Sequence, residues 1–373
     1  MLLKNCRFFN ENFDFTSGDI QINKDTIENI GIIGGDGIDM SEFIIMPGFV
    51  DIHTHGAMGC DASDEDENAV LTMSNALVQK GITSFCPTTM TLPFESLKKA
   101  FENIENAKAR EQGAKIQGIN MEGPFISPSK KGAQAVEHIL KPDTDFFNRL
   151  NEISEIVLSD IAPETEGAES FVKSISKKCT VSIAHTASDY SAATKSFEWG
   201  ISHATHLFNA MTPLTSREAG CVGAVFDSDT VTAELICDGI HICPPSLRTA
   251  FKILGEDRTV VISDSMRAAG MPHGEYLLGG QKVIVSNDAR LSDGTLAGSV
   301  TNLFDEFKNL LSFGINIKQA TKSVTINPAK VIHKDREIGS ISIGKKADLV
   351  ILDKEMGKIK KVIVNGKIVC QKG

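Results

Sequence analysis

From residue 48 onward the chain alternates an apolar, strand-like run, a polar exit and an amphipathic helical stretch, and it does so eight times before residue 265. The strand-like runs are 49–53, 82–88, 115–121, 155–161, 181–185, 201–206, 232–238 and 259–264. Helical spacing separates most of them. Val70, Met73 and Leu77 precede Gly81, and Leu247, Ala250, Phe251 and Leu254 precede Gly255, where each glycine suits a helix C-terminal cap. Eight β-then-α units predict an α/β chain folded as a (β/α)₈ TIM barrel over 48–334.

The flanks break this rhythm. Residues 1–47 and 335–373 carry short alternating segments punctuated by Asn-Gly, Asp-Gly and Gly-Lys turns, as in the run 360–369. They predict a small β-sandwich domain assembled from both chain ends. A length of 373 residues leaves room for it, since about 150 residues make an average domain. The acidic run from Asp61 to Glu67 reads as a solvated helix start.

Charge and cysteine usage narrow the partners. A net charge of -10, from 38 basic and 48 acidic side chains, argues against a broad surface for nucleic acid or anionic lipid. No run reaches the ~20 apolar residues of a membrane span, and Met1-Leu2-Leu3-Lys4-Asn5 leads into polar sequence without a signal-peptide core, so a cytoplasmic location is expected. The eight cysteines are dispersed without a C-x-x-C pair, as reduced, mostly buried thiols are.

In a barrel of this kind reactive groups project from the C-terminal ends of the strands. Strand one ends His53-Thr54-His55, an i, i+2 pair on one face of an extended chain. Strand three runs into Glu122, strand five ends at His185, strand six at His206 and strand eight at Asp264. Four histidines and two carboxylates at the tops of one barrel predict a site for one or two divalent cations. Nitrogen and oxygen donors without thiolate suit Zn²⁺, Fe²⁺, Mn²⁺ or Co²⁺ alike. His203, three residues before His206, reads as a packing or supporting residue, and His241 follows strand seven over the barrel mouth. His138 and His333 read as surface residues, and His273 is unassigned.

The stretch Pro47-Gly48-Phe49-Val50-Asp51-Ile52-His53-Thr54-His55-Gly56 resembles the opening strand of the amidohydrolase superfamily. Met121-Glu122-Gly123-Pro124-Phe125, His206-Leu207-Phe208-Asn209-Ala210-Met211, Asp238-Gly239-Ile240-His241, the run Ser263–Gly270 and Leu296-Ala297-Gly298-Ser299 are more specific. Together they resemble the N-acetylglucosamine-6-phosphate deacetylase family, in that family's order, across essentially the whole chain.

The resemblance implies that Glu122, His185 and His206 hold the principal metal. It implies Asp264 as the acid–base group and His241 as a contact to the substrate carbonyl. It places Asn209, Ala210 and Arg217 at the phosphate of a phosphorylated amino sugar, and Ala133, Ala297, Gly298 and Ser299 along the sugar. Arg217 on its own reads equally well as a surface residue paired with Glu218. Some family members lack the histidines at positions 53 and 55 and use one metal; both are present here, which favours a second position bridged by Glu122. The family's members are homo-oligomers, so a homodimer or tetramer is expected.

The implied reaction is hydrolysis of the acetamide of N-acetyl-D-glucosamine 6-phosphate. Three other readings stay open. One is the same reaction on N-acetylgalactosamine 6-phosphate. A cyclic-amide hydrolase of dihydroorotase type is another; such enzymes usually carry a carboxylated lysine ending strand four, where 156–161 has none. The last is a catalytically inactive amidohydrolase-like scaffold, a reading that the complete ligand set opposes.

Overall fold

Strand one of the barrel can start where it does because residue 48 is glycine: a Cβ there would lie 2.0 Å from Thr83 Oγ1 of the neighbouring strand. The computed structural model describes residues 1–372. The barrel strands are Phe49–Thr54, Ile82–Thr89, Lys115–Ile116 with Ile119–Met121, Ile156–Ile161, Thr180–Ile183, Ile201–Ala204, Thr232–Ile236 and Thr259–Ile262. Each pairs in parallel with the next. The ring closes where Asp264 N–H donates to His53 O at 2.9 Å and Thr54 bridges Ser265. All eight expected strands are present. Strand three is split at Gly118, whose φ of +136° interrupts the extended run.

A helix follows every strand: Ala69–Val78, Phe94–Lys108, Thr144–Asn151, Ala168–Ile175, Tyr190–Trp199, Gly220–Asp227, Pro244–Arg258 and Leu303–Ser312. Several are started by side-chain caps. Asp143 accepts from Asp145 N and Phe146 N, Asp189 from Ala192 N and Asn302 from Asp305 N. The helix after strand seven buries Leu247, Ala250, Phe251 and Leu254, and Gly255, at φ +72°, leaves helical geometry right after them. Such faces join one large core with the outward side chains of the strands. Each fully buried Leu or Phe contributes about 1.5–3 kcal/mol relative to exposure.

Both chain ends share one sheet of eight strands: Leu2–Phe9, Phe15–Asn23, Thr26–Gly31, Ile38–Asp39, Phe43–Pro47, Leu349–Asp353, Ile359–Val364 and Lys367–Gln371. The far edge folds back: Ile27 N–H donates to Lys345 O and Ala347 N–H to Asp25 O. The period of two along a strand does the rest. Ile45, Leu349, Ile351 and Ile363 face a small core with Leu3, Phe8 and Ile20, while Ile44, Met46, Val350, Leu352, Val362 and Val364 join the barrel core. The Asn365-Gly366 turn, with positive φ at both residues, closes the last hairpin as expected of Asn-Gly.

Two features depart from the sequence reading. Between strand eight and its helix, Gly274–Leu278, Gln281–Val285 and Ala289–Leu291 form a separate three-stranded antiparallel meander. The acidic run is not simply a solvated helix start, because Asp61 is buried and, with Asp64, holds Arg267 at 3.5 and 2.8 Å. The helix itself begins only at Ala69. The eight cysteines are free thiols, and no helix among the described residues is long and apolar enough to cross a membrane.

Candidate metal centre

Three of the strand-end residues stand in left-handed backbone: His185 at φ +42°, His206 at +31° and Asp264 at +46°. Such a conformation costs a side-chain-bearing residue about 1–3 kcal/mol and persists only where neighbours impose it. Here Ser127 N–H donates to His185 O, Leu207 N–H to Glu234 O, and Ser299 N–H to Asp264 O. Glu122 owes its place to Gly123, whose φ is +82° and whose added Cβ would lie 2.1 Å from Thr91 Oγ1. The Glu-Gly-Pro turn can therefore press against the exit of strand two.

These turns bring two donor sets together, Glu122 with His185 and His206, and His53 with His55 and Asp264. In the first, Glu122 Oε1 lies 3.2 Å from His185 Nε2 and 3.1 Å from His206 Nε2, and the two nitrogens are 3.2 Å apart. In the second, His53 Nε2 and His55 Nε2 are 3.3 Å apart, and Asp264 Oδ1 lies 3.5 and 3.3 Å from them. Glu122 joins the sets, with Oε1 3.6 Å from His53 Nε2 and Oε2 3.4 Å from His55 Nε2.

The outer ring nitrogens fix which lone pairs face inward. His185 Nδ1–H donates to Lys130 O at 2.8 Å and His55 Nδ1–H to Thr88 O at 3.1 Å, so both Nε2 atoms offer lone pairs to the centre. His53 Nδ1–H donates to Glu234 Oε2 at 3.0 Å, and Glu234 Oε1 lies 3.2 Å from His203 Nε2. Converging lone pairs repel unless positive charge lies among them. Burial disfavours a charged His53, but the Glu234 and Asp264 carboxylates outweigh it and lift its pKa to about 10. Burial likewise pushes Glu122 up, and the surrounding imidazoles of His185, His206 and His55 overcome it and hold the carboxyl well below its usual range. A divalent cation fits the same donors: bonds of about 2.1 Å in a tetrahedron set donors about 3.4 Å apart. The spacings within each set lie around that value.

The centre opens on a cavity of about 330 Å³. Of the residues expected at the site, His55, Glu122, His185, His206, Asp264, Ala133, Asn209, Ala210, His241, Ala297 and Gly298 line it. His53 lies buried behind, and Ser299 is buried with its backbone on Asp264. Arg217 is exposed, lies outside the lining, and makes no ion pair with Glu218. His241 stands between two acceptors, Asp238 Oδ2 at 2.7 Å from Nδ1 and Ala297 O at 3.1 Å from Nε2. It therefore carries a proton on each ring nitrogen. His273 and His333 are exposed, His138 is half-buried, and none lines the cavity.

Sequence reasoning passed over Lys130, Gln134 and Glu234. Gln134 donates to Glu122 Oε2, and Lys130 lines the cavity. No motif marks them, because each acts through partners distant in sequence.

The sequence profile of the amidohydrolase family matches residues 44–369. The chain belongs to the amidohydrolase family. This amidohydrolase is 35% identical over 324 residues to the N-acetylglucosamine-6-phosphate deacetylase of Bacillus subtilis (strain 168), covering 84% of this chain and 82% of the relative. It is 29% identical over 331 residues to the N-acetylgalactosamine-6-phosphate deacetylase of Escherichia coli O157:H7, covering 87% of each chain. The crystal structure of N-acetylglucosamine-6-phosphate deacetylase from Pasteurella multocida superposes with a TM-score of 0.92 at 27% identity, covering 98% of both chains. The amidohydrolase is thus a hydrolase with a TIM barrel and a terminal β-sandwich domain.

Proposed function

We propose that this amidohydrolase removes the N-acetyl group of N-acetyl-D-glucosamine 6-phosphate, releasing D-glucosamine 6-phosphate and acetate in cytoplasmic amino-sugar catabolism. The observation that carries the reading is Glu122, His185 and His206 clustered at one wall of a small-molecule cavity with Asp264 beside them, in a chain whose curated relatives bear that activity's name. The cavity volume falls at the lower end of the about 300–1,000 Å³ range of ligand pockets. One or two divalent ions, Zn²⁺, Fe²⁺, Mn²⁺ or Co²⁺, fit the nitrogen and oxygen donors.

A divalent cation, when bound, polarises an amide carbonyl and acidifies a water toward neutral pH. The residues of the chain supply the remaining steps. Asp264, at the end of strand eight, takes a proton from the attacking water and returns it to the amine as the C–N bond breaks. His241, doubly protonated, offers its Nε2–H to the carbonyl oxygen as negative charge develops there, in exchange for the Ala297 carbonyl. Ala133, Ala297 and Gly298 shape the sugar end with Ser299 bracing the Asp264 backbone behind them, and Asn209 and Ala210 meet the phosphate.

Arg217 completes that end across a subunit boundary. Its exposure, away from the lining of its own cavity, supports service to a neighbouring copy in a homodimer or tetramer. The same reading assigns 48–334 to catalysis and joins 1–47 with 335–373.

Hydrolysis of N-acetylgalactosamine 6-phosphate is the second reading, favoured by the Escherichia coli relative. Acetate release over a panel of N-acetylated amino sugars, with and without the 6-phosphate, separates the two. The glucosamine phosphate is expected to give the highest kcat/KM; a preference for the galactosamine epimer, or for unphosphorylated sugars, overturns the assignment.

A further inference from the structure

Gln134 takes no part in the chemistry above, yet its buried amide is committed at both ends. The Thr91 backbone N–H donates to Gln134 Oε1 at 2.7 Å. A backbone N–H can only donate, so the amide oxygen must face Thr91 and the amide nitrogen must face away from it. That nitrogen donates to Glu122 Oε2 and lies 3.7 Å from Met90 Sδ. The anchor is itself confined, since Thr91 is fully buried and Gly123 is the residue that lets its side chain pack against the Glu-Gly-Pro turn.

The two oxygens of Glu122 thereby acquire different surroundings. Oε1 faces His185 and His206, whereas Oε2, which carries the Gln134 hydrogen bond, is the oxygen nearest His55. The last torsion of a glutamate is broad, so without a donor holding one oxygen the carboxylate plane turns at little cost and Oε2 leaves its place beside His55. We infer that Gln134 is a positioning residue that fixes the rotation of the Glu122 carboxylate, so that cation binding at His53, His55 and Asp264 depends on Gln134 while binding at His185 and His206 does not.

This inference rests on the two-cluster cation reading proposed above. Partners one step removed from a metal typically set affinity by 10- to 100-fold, and Gln134 exerts that effect on one position selectively.

The test is equilibrium dialysis of the chelator-stripped full chain against Co²⁺, for the wild type, Gln134→Met and Gln134→Leu. The wild type is expected to take up two equivalents. Both variants should keep the first equivalent within a few-fold, which also reports that they are folded, and bind the second about 10- to 100-fold more weakly. Two equivalents in the wild type with an unchanged second equivalent in the variants, or with both weakened by one factor, overturn the role of Gln134 alone. A wild type that takes up no second equivalent overturns the inference together with the two-cluster reading.

Discussion

Glu234 and His53 are separated by 181 residues in the chain, and the Glu234 carboxylate accepts the His53 Nδ1–H at 3.0 Å in a fully buried contact. The same carboxylate meets His203 Nε2 at 3.2 Å through its other oxygen and His206 N–H at 3.2 Å. One strand-seven side chain thus holds the strand-one His53 ring in its orientation and braces the strand-six turn. His203, which carries no cavity-facing role, is the third member of this relay and is anchored in turn by Thr232 Oγ1 at 2.6 Å.

Glu234→Ala leaves two buried imidazoles without their acceptor. Breaking a buried ion pair from one side costs about 3–5 kcal/mol, so the variant's urea midpoint should drop accordingly with little change in m-value. An unfolding free energy within about 0.5 kcal/mol of the wild type, the range of neutral surface changes, would show that His53 needs no partner.

His241 gives a pH prediction whose sign follows from its two acceptors. Burial opposes the charged ring, but the Asp238 hydrogen bond and charge, with Asp264, raise its pKa above the ordinary histidine value. The doubly protonated form is present below that raised pKa and is lost as pH climbs through it. Asp238→Asn removes the main support, so the alkaline limb of kcat/KM against pH should move to lower pH. An alkaline limb at an unchanged pH in the variant removes His241 from the catalytic cycle.

The two donor clusters were legible in the sequence because a barrel presents the residue at each strand's end to one shared mouth, so His53, His55, Glu122, His185, His206 and Asp264 could be placed by type and position alone. What the sequence hid has a physical reason too. Glu234 lies within a strand rather than at its end, and Gln134 meets Thr91 43 residues away through a backbone group that no motif records. The meander at 274–291 carries a visible Gly279-Gly280 turn signal, but the barrel rhythm absorbed it. Asp61 was read as solvated because its partner, Arg267, stands 206 residues later, a pairing made only when strand eight returns beside strand one.

Asp264→Asn keeps the side-chain shape and removes the base. Loss of kcat should reach at least ~10², the usual scale of general acid–base catalysis, with substrate binding largely kept. Near-normal kcat in the variant assigns the proton transfers to another group.

Arg217→Ala should raise KM for the phosphorylated sugar while leaving slow hydrolysis of N-acetylglucosamine nearly unchanged. A charge-assisted hydrogen bond is worth about 1.5–3 kcal/mol, or roughly 10- to 150-fold in affinity. Equal losses on both substrates make Arg217 a structural residue, and Lys130, the lysine in the cavity lining, becomes the cation to examine.

The most direct test follows acetate and glucosamine 6-phosphate released from N-acetylglucosamine 6-phosphate by one preparation of the full chain, before chelation, after chelation and after reloading with a divalent cation. The account predicts equimolar products, loss of turnover on stripping and recovery on reloading. Full turnover by the stripped protein, or no acetate under any cation, contradicts it.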